Sequence, residues 1–207
     1  MISLKQNFLF IHIPKTAGNS IQNILKAYSE DHIVCLASHQ DGIERFEVRS
    51  ERYNIHKHST IEEYCDQLGE KAFQKIFKFT SVRNPWDRVI SFYFSPHRGH
   101  IYWNRDKFIE FIQSVQPIKN YIYLAEPKTS DIWNFNTIDF FIRYENLNND
   151  FKQACEIIGI PYTRLPHNNR SNHRKYWTYY DDELVELVRN RFYDEIRFFG
   201  YEFENNA

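Results

Sequence analysis

The chain has 207 residues, enough for one domain with a sizeable core, and its 42% hydrophobic and 17% aromatic content excludes a disordered chain. Its 26 Lys and Arg against 27 Asp and Glu leave a net charge of −1, which disfavours a nucleic-acid or other polyanion binder held by bulk charge. Cys35, Cys65 and Cys155 form an odd, scattered set with no C-x-x-C pair, so they read as reduced thiols of a cytoplasmic protein rather than as a disulfide frame.

The first element is the apolar run at residues 8–13, with the look of a buried strand. It is interrupted by His12 and stopped by Pro14, too short for a signal-peptide core. No later stretch approaches the roughly 18 apolar residues of a membrane span. A helix is predicted over about residues 19–28, with Ile21, Ile24, Leu25 and Tyr28 on one face. Residues 32–37 read as a second strand, and the polar residues 38–52 as a surface loop or irregular insertion. Residues 53–58 look extended. Residues 60–69 look helical, with Thr60 as cap, Glu63 three positions on and Gly69 near the end. Residues 75–83 make the best central strand after the first, and Asn84-Pro85 opens a helix, with asparagine as cap and proline in its first turn. Further helices are expected at about 105–115 and 148–158, a strand at 138–143, a basic loop at 160–175 and one long terminal helix at 181–199. Strands alternating with helices imply an α/β fold. We expect one domain over residues 1–207, with a mainly parallel central sheet flanked by helices and ligands bound beyond the carboxyl ends of its strands.

Two motifs carry chemistry. Pro14-Lys15-Thr16-Ala17-Gly18-Asn19-Ser20 joins the first strand to the first helix. A small-residue loop at a helix start grips an anion with exposed N–H groups and the positive helix end. Gly18 lets the backbone approach, Thr16 and Ser20 add hydroxyl donors, and Lys15 adds a point charge. An ordinary strand–helix connection with a surface lysine would look similar. A Walker A loop has its lysine after the second glycine; here Lys15 precedes the glycine, and the strand ending at Arg83 finishes in a cation rather than an acidic metal ligand. In the second motif Arg83 ends a strand, and helical spacing puts Arg88 and Ser91 on the face of Asn84, where arginine and serine can converge on one anion. A structural ion pair is the plain alternative for Arg83.

Together these motifs resemble the sulfotransferases that use 3′-phosphoadenosine 5′-phosphosulfate, in particular the bacterial branch related to carbohydrate (heparan 2-O-type) enzymes. The resemblance extends to His58-Ser59-Thr60, Arg143-Tyr144-Glu145-Asn146-Leu147, Leu165-Pro166-His167-Asn168 and Phe199-Gly200-Tyr201-Glu202-Phe203, and is weakest over residues 97–135. It implies a P-loop-NTPase-like sheet. It implies that Lys15, Thr16, Ala17, Gly18, Asn19 and Ser20 hold the 5′ end of the nucleotide, and Arg83 and Ser91 its 3′-phosphate. Arg170, Ser171, Arg174 and Lys175, in the later basic loop, are the further candidates for the 3′-phosphate; of these Ser171 and Arg174 are the nominated pair.

The implied reaction is in-line sulfuryl transfer to a hydroxyl, a carbohydrate being the family-level expectation. Lys15 would stabilise the leaving group, with no metal ion expected and adenosine 3′,5′-bisphosphate as product. A histidine suits the base near neutral pH. His58 and His56 would project from one face of an extended segment, and the resemblance favours His58; Glu62 and Glu63 remain alternatives. Residues 38–52 and 97–135, including His97 to Trp103, are expected to shape the acceptor site. A small-molecule kinase and a non-catalytic nucleotide-binding protein are the competing readings.

Overall fold

The computed structural model describes residues 1–35, 46–124, 136–166 and 173–204. In chain order its strands are β1 (Ile2–Ser3), β2 (Phe8–Ile11), β3 (His32–Cys35), β4 (Phe46–Arg49), β5 (Phe77–Val82) and β6 (Phe140–Arg143). Its α-helices are α1 (Gly18–Leu25), α2 (Ile61–Leu68), α3 (Glu70–Phe73), α4 (Pro85–Tyr93), α5 (Arg105–Ser114), α6 (Lys119–Ile122), α7 (Leu147–Ile158), α8 (Asp182–Arg191) and α9 (Tyr193–Phe199). The central sheet has the order β1-β2-β5-β6, with β2, β5 and β6 parallel and β1 antiparallel to β2. The fold is thus α/β with a mostly parallel central sheet flanked by helices, as the sequence implies.

Alternation along β2 explains the layers. Phe8 and Phe10 face one way and pack with Phe79, Ile142, Ile21 and Leu25 of α1 and Phe151 and Ala154 of α7. Leu9 and Ile11 face the other way and join Val82, Tyr64 of α2, and Trp86 and Val89 of α4. Because both faces are covered, β2 reads as a continuous apolar run. Helix α2 starts with the expected capping box: Thr60 accepts from the Glu63 N–H while Glu63 accepts from the Thr60 N–H. Asn84 caps α4 by accepting from the Trp86 N–H at 3.1 Å, with Pro85 in the first turn.

Three expectations need correction. Residues 46–49, inside the segment expected to be loop, form a strand paired antiparallel to β3 in a separate two-stranded sheet. Their Phe-Glu-Val-Arg sequence is a period-2 pattern, with Phe46 and Val48 buried, that the surrounding charge conceals. Residues 53–58 are not continuously extended: a bend at Tyr53 and a turn at residues 57–58 interrupt them, and the Ser59 N–H is bonded to the His56 carbonyl at 3.1 Å. The terminal helix is two helices, because Phe192, whose ring is buried, leaves helical geometry (φ −115°, ψ 27°). Among the described residues no helix is long and apolar enough to cross a membrane.

Candidate active site

The carboxyl ends of β2, β5 and β6 open into a cavity of about 1340 Å³. Register decides which residues meet there. Ile11 lies beside Thr80, so the chain leaving β2 faces the chain leaving β5 at Arg83. Val82 lies beside Arg143, which brings Tyr144 and Glu145 up to the same turn.

The loop from β2 to α1 is held in an unusual backbone form. Lys15 (φ 70°) and Ala17 (φ 76°) are left-handed although neither is glycine, a conformation that costs roughly 1–2 kcal/mol per residue. Thr16, between them, is the clasp. Its buried Oγ1 donates to the Ile13 carbonyl and pairs with Ser81 Oγ on β5, both at 2.8 Å. Thr16 therefore turns its side chain into the protein and does not offer a hydroxyl to the cavity, contrary to expectation. Pro14, Lys15, Ala17, Gly18, Asn19 and Ser20 do line it. Ala17 is the N-cap of α1 and no side chain caps it. The positive end of α1 faces the cavity, a setting that favours an anion. Ser20 Oγ donates to the Pro166 carbonyl at 2.7 Å, so its proton already has a partner. Gly18 has a second reason to be glycine: a Cβ there would fall 2.1 Å from His12 Cδ2.

Lys15 Nζ donates to Ser95 Oγ at 3.4 Å. Burial, then the charges of Arg83 and Lys57, pull its ammonium down to about 8. Arg83 Nε donates to Asp87 Oδ2 and its Nη2 pairs with the same carboxylate, both at 2.7 Å, while Nη1 donates to the Lys15 carbonyl at 3.2 Å. Its Cζ lies over the Tyr144 ring, 3.9 Å from the ring centre. Five guanidinium donors less these three leave two that have no partner among the described residues. Ser91 lines the cavity from α4. Arg88, expected on the same face, does not line it. It is fully buried against Glu195 of α9 at 3.2 Å and donates to the Gln116 carbonyl at 3.1 Å, since a cation taken into a core needs a buried partner.

The two histidines expected to share a face are separated by the turn at residues 57–58. His56 is exposed and bonds Ser59 at 3.0 Å through Nδ1. His58 lines the cavity beside Lys57. The carbonyl of His12 can only accept, so His58 Nδ1 carries the proton and donates to it at 3.2 Å. Burial, then Lys57, lowers the His58 pKa, against the opposing bond from His12. Neither Glu62 nor Glu63 lines the cavity, and Glu63 is committed to the α2 cap. Arg174 and Lys175 line it, Arg174 with its N–H on Tyr179 Oη at 3.0 Å. Arg170 and Ser171 lie outside the described residues. Of the expected acceptor segments, His97 and Arg98 line the cavity, whereas residues 36–45 and 125–135 are not described. Cys65 and Cys155 do not line it, and burial raises both thiols, Cys155 to about 11. Among the described residues no group of three or more His, Cys, Asp and Glu is arranged to hold a metal ion.

Sequence reasoning missed His12, Lys57, Tyr144 and Glu145. Glu145 accepts from the Asn84 N–H at 2.6 Å, Asn84 Nδ2 donates to the Glu202 carbonyl at 2.9 Å, and Tyr201 Oη donates to Glu145 at 3.4 Å. The segments that carry the resemblance at 143–147 and 199–203 thus brace the turn bearing Arg83. Their available signal was position: Tyr144 and Glu145 directly follow a parallel strand.

Fixed donors and cations gathered at the carboxyl ends of parallel strands define an α/β protein whose cavity suits an anionic ligand. A model of the sulfotransferase family matches residues 1–202, and the chain belongs to that family. Sulfuryl transfer is therefore its reaction class and it is a transferase. An uncharacterized protein of Archaeoglobus fulgidus is 35% identical over 100 residues, which covers 46% of this chain and 78% of that relative. No solved structure shows a significant match.

Proposed function

We propose that this protein transfers the sulfuryl group of 3′-phosphoadenosine 5′-phosphosulfate to an acceptor hydroxyl, with carbohydrate the first acceptor class to test, and that residues 1–207 work as one such domain in the cytoplasm. The observation that carries the reading is that one cavity gathers two sets of donors and cations suited to anions. They are the uncapped start of α1 with Lys15, and Arg83 with Ser91, tied together by the Arg83–Lys15 bond. A nucleotide with anions at its 5′ and 3′ ends matches that pair.

In this reading the N–H groups of residues 17–20 hold the 5′ end, and the two remaining Arg83 donors with Ser91 hold the 3′-phosphate. Arg174 and Lys175, and Arg170 and Ser171 of the neighbouring segment, are its further candidate contacts. With Nδ1–H on His12, the neutral His58 ring has its lone pair on Nε2 and takes the proton of the acceptor hydroxyl there. As that proton leaves, the hydroxyl oxygen bonds to sulfur, the bond from sulfur to the bridging oxygen breaks, and the electron pair stays with the nucleotide. Lys15 meets that charge. Lys57 beside the base disfavours a lasting imidazolium, so the proton passes on to solvent.

The donor assignment is tested by thermal shift: the phosphosulfate nucleotide or adenosine 3′,5′-bisphosphate should stabilise the protein, and ATP with magnesium should not. The opposite pattern would turn the reading into a kinase. Mass spectrometry of saccharide, lipid and small-alcohol panels incubated with the donor then identifies the acceptor. Arg83→Lys should lower the preference for adenosine 3′,5′-bisphosphate over 5′-AMP by roughly 10-fold or more, because a charge-assisted hydrogen bond is worth about 1.5–3 kcal/mol. Calorimetry with the two nucleotides reads this directly. An unchanged ratio would remove Arg83 from the 3′ site.

A further inference from the structure

The side chain of His12 takes no part in the steps above, yet it touches both halves of the site. It follows the last residue of β2 and is 3% exposed. Its Nδ1 donates to Gln22 Oε1 of α1 at 2.8 Å. Its ring backs Gly18 so closely that an added Cβ would lie 2.1 Å from Cδ2 and 2.3 Å from Nε2. On the other side, its ring centre is 4.7 Å from that of His58, and its carbonyl accepts the His58 Nδ1 proton. We propose that His12, anchored by Gln22, is a positioning residue that couples the anion-binding loop to His58, so that the height of the loop at Gly18 and the orientation of the base are set by one ring.

Gln22 supports this assignment. It does not line the cavity, and it is fully buried with its Nε2 lacking any partner among the described residues. A buried amide donor without a partner is disfavoured, and an aliphatic side chain would fill the place without that cost. What the glutamine supplies is an acceptor for Nδ1–H, which fixes both the tautomer and the rotation of the His12 ring. That ring stays uncharged, its pKa lowered well below 6.5 by burial first and then by His58 and Lys57. It can therefore hold His58 without competing for its proton. Gly18 supplies the link to the loop, since nothing but hydrogen fits between its Cα and the ring.

The inference rests on His58 as the base for its effect on rate, but the coupling has a readout of its own. Side-chain nitrogen–proton spectra of the full chain, saturated with adenosine 3′,5′-bisphosphate, should find His12 and His58 both protonated on Nδ1. Gly18→Ala should disturb the His58 ring signals and its titration as well as nucleotide affinity. In the His12→Ala background, where the added methyl has room, the same change should cost roughly tenfold less affinity than alone, a coupling of the size seen for residues in contact. Gln22→Met should release the His12 ring and lower kcat and nucleotide affinity together, each by several-fold to roughly tenfold. It keeps the test alive should Gly18→Ala fail to fold. An additive cycle, a His58 ring indifferent to Gly18→Ala, or a His12 proton on Nε2 would overturn the coupling. Wild-type turnover by His58→Ala would instead remove the base assignment and leave the spectroscopic coupling to stand or fall separately.

Discussion

Lys15→Ala is expected to lower kcat by roughly 10²–10³-fold, the usual effect of removing one preorganised donor aimed at developing charge. Nucleotide affinity should fall by about tenfold, as one charge-assisted bond is lost. The ammonium is already strained by its surroundings: burial, Arg83 and Lys57 bring its pKa to about 8. Since the charged form is the one that binds and stabilises, kcat/KM for the donor should decline as pH rises through about 8. A bound anion favours the charged amine, so the matching decline in kcat should lie at higher pH. Rate profiles from pH 6 to 10 and calorimetry with adenosine 3′,5′-bisphosphate at both ends of that range measure this. Turnover within threefold of wild type for Lys15→Ala would sink the leaving-group role.

His58→Ala should bind adenosine 3′,5′-bisphosphate almost as the wild type does, yet turn over roughly 10²–10⁴-fold more slowly, as expected when a general base is lost. The ring is neutral at neutral pH because burial and Lys57 lower its pKa below 6.5. The base must be unprotonated, so activity present above pH 6.5 should be lost only as pH falls through that lowered value. The acid limb should vanish in His58→Ala. His56→Ala is the control: that ring is exposed and bonded to Ser59, and its removal should leave both the rate and the acid limb in place. An acid limb that moved with His56 instead would reassign the base.

Much of the frame was legible because strong periodicity and punctuation coincided. The apolar run of β2, the Asn84-Pro85 start of α4 and the Thr60/Glu63 cap of α2 each have a local physical cause. What sequence could not resolve was direction. Lys15, His58, Arg83 and Ser91 all reach one cavity, as strand-end and loop positions suggested, but Thr16 and Arg88 point inward. Their partners, Ser81 and Glu195, are 65 and 107 residues away. Phe192 shows the same limit, since a helical pattern continues through it although its backbone leaves helical geometry and its ring is buried. The histidine pair failed for a local reason: alternation holds only while the chain is extended, and the turn at 57–58 ends that.

The clasp at Thr16 has a consequence for how a ligand is met. Two left-handed residues are kept in place by two bonds of one buried hydroxyl, so on the proposed function the cradle is ordered by the fold before a nucleotide enters it. The entropy of ordering that backbone is then lost during folding and not charged against affinity. On the proposed function the chain would hold its loop amides much as a stiff host molecule does, and part of the strength of its grip on a nucleotide would reside in a Thr–Ser pair that does not line the cavity.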